Sequence, residues 1–466
     1  MRRAPPLSQP SQPSPGDPSA SPGPDPTIRF DGAEVPACRA DTVASALIAA
    51  GELMTSRSAK YRRPRGAYCL LGDCGTCLVR IDGRPNVRAC LTPVRDGMRV
   101  ASQNSYGELD PTALIDSVFR GGIDHHHMVV YPRVANSLMQ GVARTLTGFG
   151  VVPDAAPAQT AWREDHVPEV LVVGAGRSGR AAAAVLAAAG VDHLVLERRD
   201  AAALRADDPT AAIPAAVRAG VGVFAAYPHE GLWAAAAADR GDAERAPALH
   251  VVRPRHVILA LGAHVPTIAL PGNDIPGVLS ARGLRHLLAR TGRRTARPVV
   301  VIGAGAEAED HAQALGAALV APAEVVRIVG RRRVKAVETA RGRIACRLVA
   351  LAPAVAPASE LAAQAGAALR WTGAGFAPIC DREGRVELRA EDHPLAGPTV
   401  PDLTTSRDEP DAQTGDLRPP PPAAAAWTLW AAGELAGAEP SASAASGRAV
   451  ARAVLRALGR PEAADV

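Results

Sequence analysis

The sequence predicts two folding units of different class, a small α+β unit followed by a larger α/β unit. Three observations support this prediction. Residues 28–104 alternate short apolar segments with turn signals and contain four cysteines at close spacing. Glu169–Val173 is an apolar segment that precedes a glycine-rich turn, an alanine-rich segment and a further apolar segment. A similar strand–turn–helix pattern recurs at Val299–Ala308, and alternation of this kind is typical of parallel sheets.

Composition narrows the class of protein. The chain has 466 residues, 47% of them hydrophobic, which is enough for several domains with their own cores. The net charge of +5 is modest and gives no argument for nucleic-acid binding. We find no apolar run of about 18 residues that would span a membrane and no signal peptide, so we expect a cytoplasmic protein. Residues 1–27 are rich in proline and serine and are expected to form a disordered tail.

The first unit begins with a strand–turn–strand pattern around Asp31 and Gly32. Asp41 and Thr42 are placed to cap a helix from Val43 to about Leu53. A second hairpin is expected around Asp82 and Gly83, with strands at 78–81 and 87–90. The order of hairpin, helix, cysteine loop and hairpin predicts a β-grasp, ferredoxin-like domain over residues 28–104.

Cys69, Cys74, Cys77 and Cys90 have the spacing C-x4-C-x2-C followed by a distant cysteine. This is the plant-type pattern of [2Fe–2S] ligands, because three thiolates from one tight loop can surround most of a cluster and the fourth comes from elsewhere. The alternatives are disulfides and a zinc site. Disulfides are typical of secreted proteins, and structural zinc sites favour two short cysteine pairs where this stretch has one. We therefore expect the four cysteines to be metal ligands.

The second unit opens with a dinucleotide-binding pattern. Gly174, Gly176 and Gly179 form Gly-x-Gly-x-x-Gly between a strand and a helix, and Glu197 ends the next strand. The glycines allow a tight turn and close approach of a pyrophosphate, while an acidic residue at that distance accepts hydrogen bonds from a ribose hydroxyl. The alternative is an alanine-rich helix after a fortuitous turn. The pattern predicts a dinucleotide, and we expect FAD.

A second dinucleotide pattern is less complete. The apolar segment Val257–Leu261 ends in Gly262, and Gly303 and Gly305 then follow another strand, with Ala308 at the third glycine position. Two such patterns suggest one Rossmann-like domain inserted into another, as in enzymes that bind FAD and a nicotinamide. No acidic residue ends the strand that should follow, so binding of NAD(P) remains open.

The C-terminal segment adds a strand that ends in Gly433 and Glu434, followed by a helix expected at 447–458. A glycine and a carboxylate at this position can contact ribityl hydroxyls of a flavin. Residues 391–426 are proline-rich and are expected to form a long loop. The predicted units are an FAD-binding domain over 166–290 and 373–466, and a reduced nucleotide-binding domain over 291–372. Residues 105–165 are a connector, and its His125–His127 run is not expected to bind a metal, since adjacent side chains diverge.

These residues together resemble a known family, the iron–sulfur/FAD subunits related to the alpha subunit of heterotetrameric sarcosine oxidase and to subunits of opine oxidase and hydrogen cyanide synthase. The stretches that carry the resemblance include 60–66, 85–88, 96–98, 102–104, 132–133, 261–264, 271–277 and 364–371. The family's strand end Ala-Thr-Gly is Ala260-Leu261-Gly262 here, and its Gly-Asp is Gly433-Glu434. A Gly-Gly pair expected after Glu197 is absent, and the segment after Ala308 is shortened.

The resemblance implies an electron-transferring oxidoreductase subunit that uses FAD and a [2Fe–2S] cluster. It also implies a smaller FAD-dependent partner subunit that oxidises an amine or amino acid. Two alternatives remain at this stage. One is a reductase that takes electrons from NAD(P)H, and the other is a scaffold subunit that keeps the cluster and has lost flavin.

Overall fold

The computed structural model describes residues 25–58, 62–105, 133–147, 162–208, 212–237, 248–295, 298–389 and 427–461. Most of the predicted N-terminal tail, the His125–His127 run and the proline-rich residues 391–426 lie outside these residues. No helix within the described ranges is both long and apolar enough to cross a membrane.

The first unit is the predicted β-grasp domain. Its five-stranded sheet contains, in spatial order, Ala33–Pro36, Thr27–Phe30, Arg99–Ser102, Leu78–Ile81 and Arg84–Arg88. The short strands Ser56–Arg57 and Pro64–Arg65 pair separately. Asp82 and Gly83 both have positive φ, as the expected hairpin turn requires. The strand that was predicted at 87–90 ends at Arg88 in the structure, so Cys90 lies in the turn that follows it.

The helix Val43–Ala50 packs across this sheet. Thr42 caps it through a reciprocal pair of hydrogen bonds with Ser45. The helix ends before the predicted Leu53 because Gly51 adopts the left-handed conformation, with φ of 90°, and terminates it.

A five-stranded parallel sheet forms the core of the second unit. Its strands are, in spatial order, Val217–Ala219, His193–Glu197, Val170–Val173, His256–Leu259 and Thr428–Ala431. The helices Arg177–Ala188, Ala201–Asp207 and Ser443–Ala457 accompany it. Every residue of Val170–Val173 is buried, as expected for a parallel strand with both faces covered.

The C-terminal helix begins earlier than predicted. It starts at Ser443, whereas the sequence suggested Gly447. A Cβ atom on Gly447 would lie 2.0 Å from the carbonyl oxygen of Ser178, so this glycine allows two helices to cross closely. Its role is packing inside the helix and not initiation.

A four-stranded sheet lies beside the parallel sheet. It is formed, in spatial order, by Val221–Tyr227, Leu232–Ala237, Ala248–Val252 and Trp162–His166. The last of these strands comes from the predicted connector, which also contributes the helix Arg133–Thr147. Trp233 is fully buried and packs on Trp427, which links this sheet to the strand Thr428–Ala431.

The reduced nucleotide-binding unit contains a four-stranded parallel sheet, formed by Val278–Ser280, Leu348–Ala352, Val299–Gly303 and Ala318–Val320. The helices are Ala281–Thr291 and Ala306–Leu315, and an antiparallel sheet is formed by Val325–Gly330, Val334–Thr339 and Gly342–Ala345.

The borders of this unit differ from the predicted 291–372. Val278–Ser280 belongs to its sheet because it pairs with residues 349–351. The later elements are Ala356–Pro357, the helix Glu360–Gln364 and the strands Leu369–Trp371 and Phe376–Pro378. Ala362 and Ala365 are buried in the core beneath the first parallel sheet, so the chain returns to the FAD unit before residue 373.

The β-grasp domain is joined to the rest of the molecule through the helix Ala281–Thr291. Leu284 and Leu287 of this helix belong to the same buried core as Val43 and Leu70. The hydroxyl of Ser280 donates to the carbonyl oxygen of Cys69 over 3.0 Å. We call residues 69–77 the cysteine loop and Ala281–Thr291 the docking helix.

We predict that Gly283→Ala destabilises this junction. A Cβ atom on Gly283 would lie 1.9 Å from the carbonyl oxygen of Cys69, which is backbone and cannot move without displacing the cysteine loop. Overpacking of this kind costs about 1–3 kcal/mol. Calorimetric unfolding and iron content measured in the same preparation test this prediction.

The matched control is Gly141→Ala, which also adds one methyl group to a helical glycine but meets no atom within 4 Å. The control is expected to unfold at or above the wild-type temperature, because alanine favours helix more than glycine. Equal stability of Gly283→Ala and wild type would contradict the close contact.

Candidate functional site

The cysteine loop brings four sulfur atoms together. Side-chain contacts connect Cys69 with Cys74 and with Cys90, and Cys90 with Cys77. Backbone N–H groups of Leu71, Asp73 and Cys74 donate to the Cys69 sulfur at 3.2–3.4 Å. Cys69, Cys77 and Cys90 are buried and Cys74 is exposed. The sequence-predicted ligands are therefore neighbours in space.

Hydrogen bonds among the cysteines favour thiolate at Cys69 and Cys77, whereas the same hydrogen bonds and burial raise the pKa of Cys74 and Cys90. Hydrogen bonds from Cys74 and Cys90, together with the backbone donors, lower the pKa of Cys69 against the opposing effect of burial. The pKa of Cys77 is lowered in the same way, first by its hydrogen bond with Cys90. A thiolate is the form of cysteine that binds metal.

The sulfur arrangement bears on the alternatives to an iron–sulfur cluster. All seven cysteines are free, so no disulfide closes this loop. Within the part of the chain that the structure describes, Glu164, His166 and His250 form the one group of three ligand atoms that lie within 4.8 Å of one another. No three of the four sulfurs are this close, whereas the ligands of a single tetrahedral zinc ion would be. A wider arrangement, in which the sulfurs contact one another in the order Cys74, Cys69, Cys90 and Cys77, suits a centre with more than one metal ion.

The first glycine-rich turn lies at the carboxyl edge of the parallel sheet. Gly174 has φ of 99°, and a Cβ atom there would lie 2.4 Å from the carbonyl oxygen of Ala260. A Cβ atom on Gly179 would lie 1.9 Å from the carbonyl oxygen of Gly174. These two glycines are required by packing. A Cβ atom on Gly176 would meet only the Arg199 guanidinium, at 3.8 Å, so the space above Gly176 is open to a ligand.

Glu197 is buried at the end of the neighbouring strand, as the pattern predicts, and it is already hydrogen-bonded. It accepts from the backbone N–H of Ala175 at 2.8 Å, and from the backbone and guanidinium of Arg199. Burial would raise the pKa of Glu197, but these interactions with Arg199 and Ala175 lower it, so the carboxylate is ionised. Because four donors already reach this carboxylate, a ribose hydroxyl must share it with Arg199 or displace the guanidinium.

The two remaining glycine positions converge on the same edge. The strands that precede Gly262 and Gly433 are parallel neighbours. A Cβ atom on Gly262 would lie 3.7 Å from a carboxylate oxygen of Glu434, so these two predicted site residues are adjacent. Ligands of open parallel sheets bind where neighbouring strands lead to opposite sides, which here is between Val170–Val173 and His256–Leu259.

Arg282, which no sequence pattern marked, connects this edge of the parallel sheet to the reduced nucleotide-binding unit. Arg282 of the docking helix donates two hydrogen bonds to Glu434, at 2.6 and 3.1 Å, and also pairs with Glu307. Burial would raise the pKa of Glu307, but hydrogen bonds from His311 and Arg282 lower it to about 2. Arg282 lies 152 residues from Glu434 in the chain, and no local pattern marks the pair.

The second glycine-rich turn has a different character. Gly303 ends a buried strand and Gly305 caps the helix Ala306–Leu315, as expected. The first turn of that helix carries Glu307 and Glu309, which occupy the region where a pyrophosphate would require positive potential. Glu324 is the first acidic residue after the parallel strand Ala318–Val320, but it does not end that strand. It lies in the turn Pro322–Glu324 and pairs with Arg341.

Asp73 of the cysteine loop reaches the dinucleotide edge. Its carboxylate lies 2.5 Å from the Arg198 guanidinium and 3.6 Å from His264 Nδ1. His264 Nε2 lies 3.1 Å from Glu360. No local pattern marks these contacts, since the partners come from separate segments of the chain. They place the cysteine loop directly against the residues that follow Glu197 and Gly262.

Family models match both predicted cofactor units. Residues 26–105 match the model described as a 2Fe-2S iron-sulfur cluster binding domain, and residues 168–207 match an FAD binding domain. Together with the geometry, these matches identify the chain as an oxidoreductase with [2Fe–2S]- and FAD-binding domains. Neither of these two models describes an NAD(P)-binding domain.

Relatives are found for both parts of the chain. Sarcosine oxidase subunit alpha from Rhizobium meliloti is 29% identical over 340 residues, which cover 66% of this chain and 34% of the relative. Hydrogen cyanide synthase subunit HcnA from Pseudomonas aeruginosa is 43% identical over 81 residues, which cover 17% of this chain and 77% of the relative. The chain thus spans about a third of the sarcosine oxidase subunit.

A solved structure supports the fold. The crystal structure of L-proline dehydrogenase from P. horikoshii matches 95% of this chain and 76% of its own, with a TM-score of 0.63 at 17% identity. At this identity the match shows a shared fold.

We predict that His264 stabilises the contact with the cysteine loop in a pH-dependent way. The neighbouring carboxylate of Asp73, assisted by that of Glu360, raises the pKa of His264 to about 9. Because this value exceeds the unfolded value of 6.5, the stabilisation is complete below pH 6.5 and is lost as the pH rises through 9. The side chain is about a third exposed, so solvent screening limits the effect to about 1 kcal/mol.

The measurement is the difference in melting temperature between wild type and His264→Gln at pH 6 and at pH 9.5. The difference is expected to be a few degrees at pH 6 and to shrink at pH 9.5. A difference that is constant across this range would contradict the assigned ion pair.

Proposed function

We propose that this chain, which is similar to sarcosine oxidase subunit alpha and to hydrogen cyanide synthase subunit HcnA, is an oxidoreductase subunit that transfers electrons between FAD and a [2Fe–2S] cluster. A flavin accepts the two electrons of a hydride-type oxidation, whereas a [2Fe–2S] cluster passes one electron at a time. The observation that carries the proposal is the direct contact of the cysteine loop with the dinucleotide edge, through Asp73, Arg198 and His264.

Each of the four cysteines has one role in this proposal, as a ligand of the cluster. These four residues would hold the cluster together, since Cys69 contacts both Cys74 and Cys90, and Cys77 contacts Cys90. The backbone N–H groups that point at the Cys69 sulfur stabilise its negative charge, and hydrogen bonds of this kind tune the reduction potential of such clusters.

The FAD contacts are proposed from the same edge of the parallel sheet. Gly174, Gly176 and Gly179 bring the backbone and the helix N-terminus close to the pyrophosphate. Glu197 accepts from a ribose hydroxyl, and Arg199, which lies between Glu197 and Gly176, is placed to pair with a phosphate. Gly262, Gly433 and Glu434 line the flavin end.

The reduced nucleotide-binding unit is proposed to organise the site without binding a nicotinamide. Its glycine-rich turn at Gly303 and Gly305 is followed by Glu307 and Glu309, which repel a pyrophosphate, and Glu307 is hydrogen-bonded to Arg282.

We therefore expect that mixing wild-type protein with NADH or NADPH leaves the flavin oxidised for at least several seconds. Rapid bleaching of the flavin spectrum would instead favour an NAD(P)H-dependent reductase.

The oxidation of the organic substrate is proposed to belong to a partner subunit. Both named relatives are subunits of larger enzymes, and one of them is a sarcosine oxidase. We infer a smaller FAD-dependent partner that oxidises an amine or amino acid and passes electrons to this chain, which we expect to act in the cytoplasm.

The main test is Cys74→Ser in the full chain. A hydroxyl is a poor substitute for a thiolate ligand to iron, so this variant is expected to lose the cluster and keep FAD. After photoreduction, its transfer of electrons to oxidised cytochrome c, followed by stopped flow, is expected to fall at least tenfold, about 1.4 kcal/mol in activation free energy.

The matched control is Cys380→Ser, which changes a half-buried cysteine outside the cysteine loop. It is expected to retain both cofactors and the wild-type rate. If the Cys74→Ser protein stays folded but loses flavin as well as iron, or keeps the wild-type rate without the cluster, the proposed transfer is wrong.

The complementary change is Gly176→Val. The valine side chain would occupy the open space above the turn, where a pyrophosphate must approach, and its Cβ atom would meet no backbone atom within 4 Å. Flavin content is expected to fall at least tenfold while iron and sulfide remain at the wild-type level, measured by absorbance and chemical assay.

Ala184→Val serves as the control, because it adds the same branched side chain on the exposed side of the same helix. It is expected to keep its flavin. Retention of full flavin content by Gly176→Val would show that the dinucleotide does not bind at this turn.

A further inference from the structure

A large cleft lies between the β-grasp domain and the antiparallel sheet of the reduced nucleotide-binding unit. Its volume is about 1110 Å³. Nine basic side chains line it, and Asp274 is the one acidic residue among the lining residues. The basic residues are Arg57, Arg62, Arg63, Arg327, Arg331, Arg332, Arg333, Lys335 and Arg347. We call this feature the basic cleft, and it lies apart from the residues proposed to bind FAD or iron.

Two of the arginines have a structural role. Arg62 is buried and donates to the carbonyl oxygen of Asn104 at 2.7 Å, and Arg57 donates to the carbonyl oxygen of Arg62 at 2.9 Å. These bonds hold the segment that carries the next arginine, Arg63, at the rim. Burial of two guanidinium groups here gives the floor of the cleft a fixed positive charge.

The remaining positive charge is exposed at the rim. Arg63, the run Arg331–Arg333, Lys335 and Arg347 are all exposed. Asp274 lies within 4.0 Å of Arg63 and 3.5 Å of Arg65, and Arg327 pairs with Glu338 on the neighbouring strand. The lining therefore carries an excess of positive charge, which favours the binding of anionic groups.

The cations are distributed in a way that fits several separate anionic groups. They come from three segments of the chain, at 57–63, 327–335 and 347. None of the residues that line the cleft, all within the described ranges, is aromatic, so no ring is available to stack a nucleotide base. Aliphatic side chains and proline, among them Ile275, Ile328 and Pro271, lie between the cations. The volume also exceeds the range of about 300–1,000 Å³ of small-molecule sites.

We propose that the basic cleft binds an acidic peptide segment of the partner subunit, with carboxylates paired to the arginines and small apolar side chains against the aliphatic residues. Arginine is suited to this role because its planar guanidinium forms two parallel hydrogen bonds with a carboxylate. The inference rests on the proposed function in one respect, that a partner subunit exists.

The position of the cleft relates docking to electron transfer. The strand Pro64–Arg65 borders it, and three residues, Gly66 to Tyr68, separate this strand from Cys69. Gly66 and Tyr68 are fixed against the second unit, since Tyr68 donates to the carbonyl oxygen of Pro266 and a Cβ atom on Gly66 would lie 3.4 Å from Pro276. A bound acidic segment thus contacts the strand that leads into the cysteine loop, and complementary charge accelerates association.

The test uses the holoprotein and a fluorescein-labelled deca-glutamate peptide. Binding is followed by fluorescence anisotropy and is expected to weaken steeply between about 50 and 300 mM salt, since the contacts are ionic. The Debye length falls from roughly 14 to roughly 6 Å over this range. The variant Arg331→Glu/Arg332→Glu/Arg333→Glu is expected to lose at least tenfold in affinity, which corresponds to about 1.4 kcal/mol.

The control changes net charge by the same amount elsewhere. Arg294→Glu/Arg370→Glu/Arg382→Glu reverses three exposed arginines that do not line the cleft, and its affinity is expected to stay within a factor of two of wild type. Equal losses in both variants would overturn the proposal, because they would indicate attraction to the net charge of the protein.

Inorganic tripolyphosphate provides a second arm. If it displaces the peptide only at millimolar concentration, the acidic-peptide proposal is supported. If it binds far more tightly than the peptide and remains bound at 300 mM salt, the cleft is a phosphate site and the proposal is wrong. Iron, flavin and cytochrome c reduction are expected to be unchanged in both triple variants, so a negative binding result is distinguishable from failure of the proposed function.

Discussion

The contact between the cysteine loop and the docking helix is the constraint on which the arrangement of the molecule depends. The carbonyl oxygen of Cys69 accepts from Ser280, and the absence of a side chain on Gly283 lets the two backbones approach. The same helix carries Arg282, which pairs with Glu434 at the flavin edge. One helix therefore orients the cysteine loop, the dinucleotide edge and the second unit relative to one another.

Charge pairs complete this arrangement. Asp41 is fully buried in the β-grasp domain and pairs with Arg293, just beyond the docking helix, at 2.7 Å. Burial would raise the pKa of Asp41, but hydrogen bonds from Arg293 and Ser45 lower it, so the carboxylate remains ionised. Removal of Arg293, which is itself about a third exposed, would leave the buried carboxylate of Asp41 without its counter-charge, and this is costly. The junction between the domains is thus specific as well as apolar.

Local patterns gave the parts of the site, and long-range contacts had to come from the structure. The cysteine spacing and the glycine-rich turn at Gly174 are local, because each depends on a loop whose residues are neighbours in sequence. Glu197 was found for the same reason, since it ends the next strand. The hydrogen bonds that Arg199 donates to the Glu197 carboxylate could not be predicted, because a motif specifies residue types and not the donors that surround them. The pairing of Arg282 with Glu434 joins distant segments, and the role of Gly447 as a crossing point depends on a helix far earlier in the chain.

The connector strand Trp162–His166 has a consequence for solubility. Within the described strands it is the outermost member of its sheet and pairs in parallel with Ala248–Val252, a largely apolar strand. Its side chains are mostly exposed, and Arg163, Glu164 and Asp165 present charges of both signs along the free edge. Charged side chains on an outer strand discourage pairing with another molecule, whereas an uncovered apolar strand invites aggregation. The charges of these few residues therefore disfavour pairing of this strand with the edge of a second molecule.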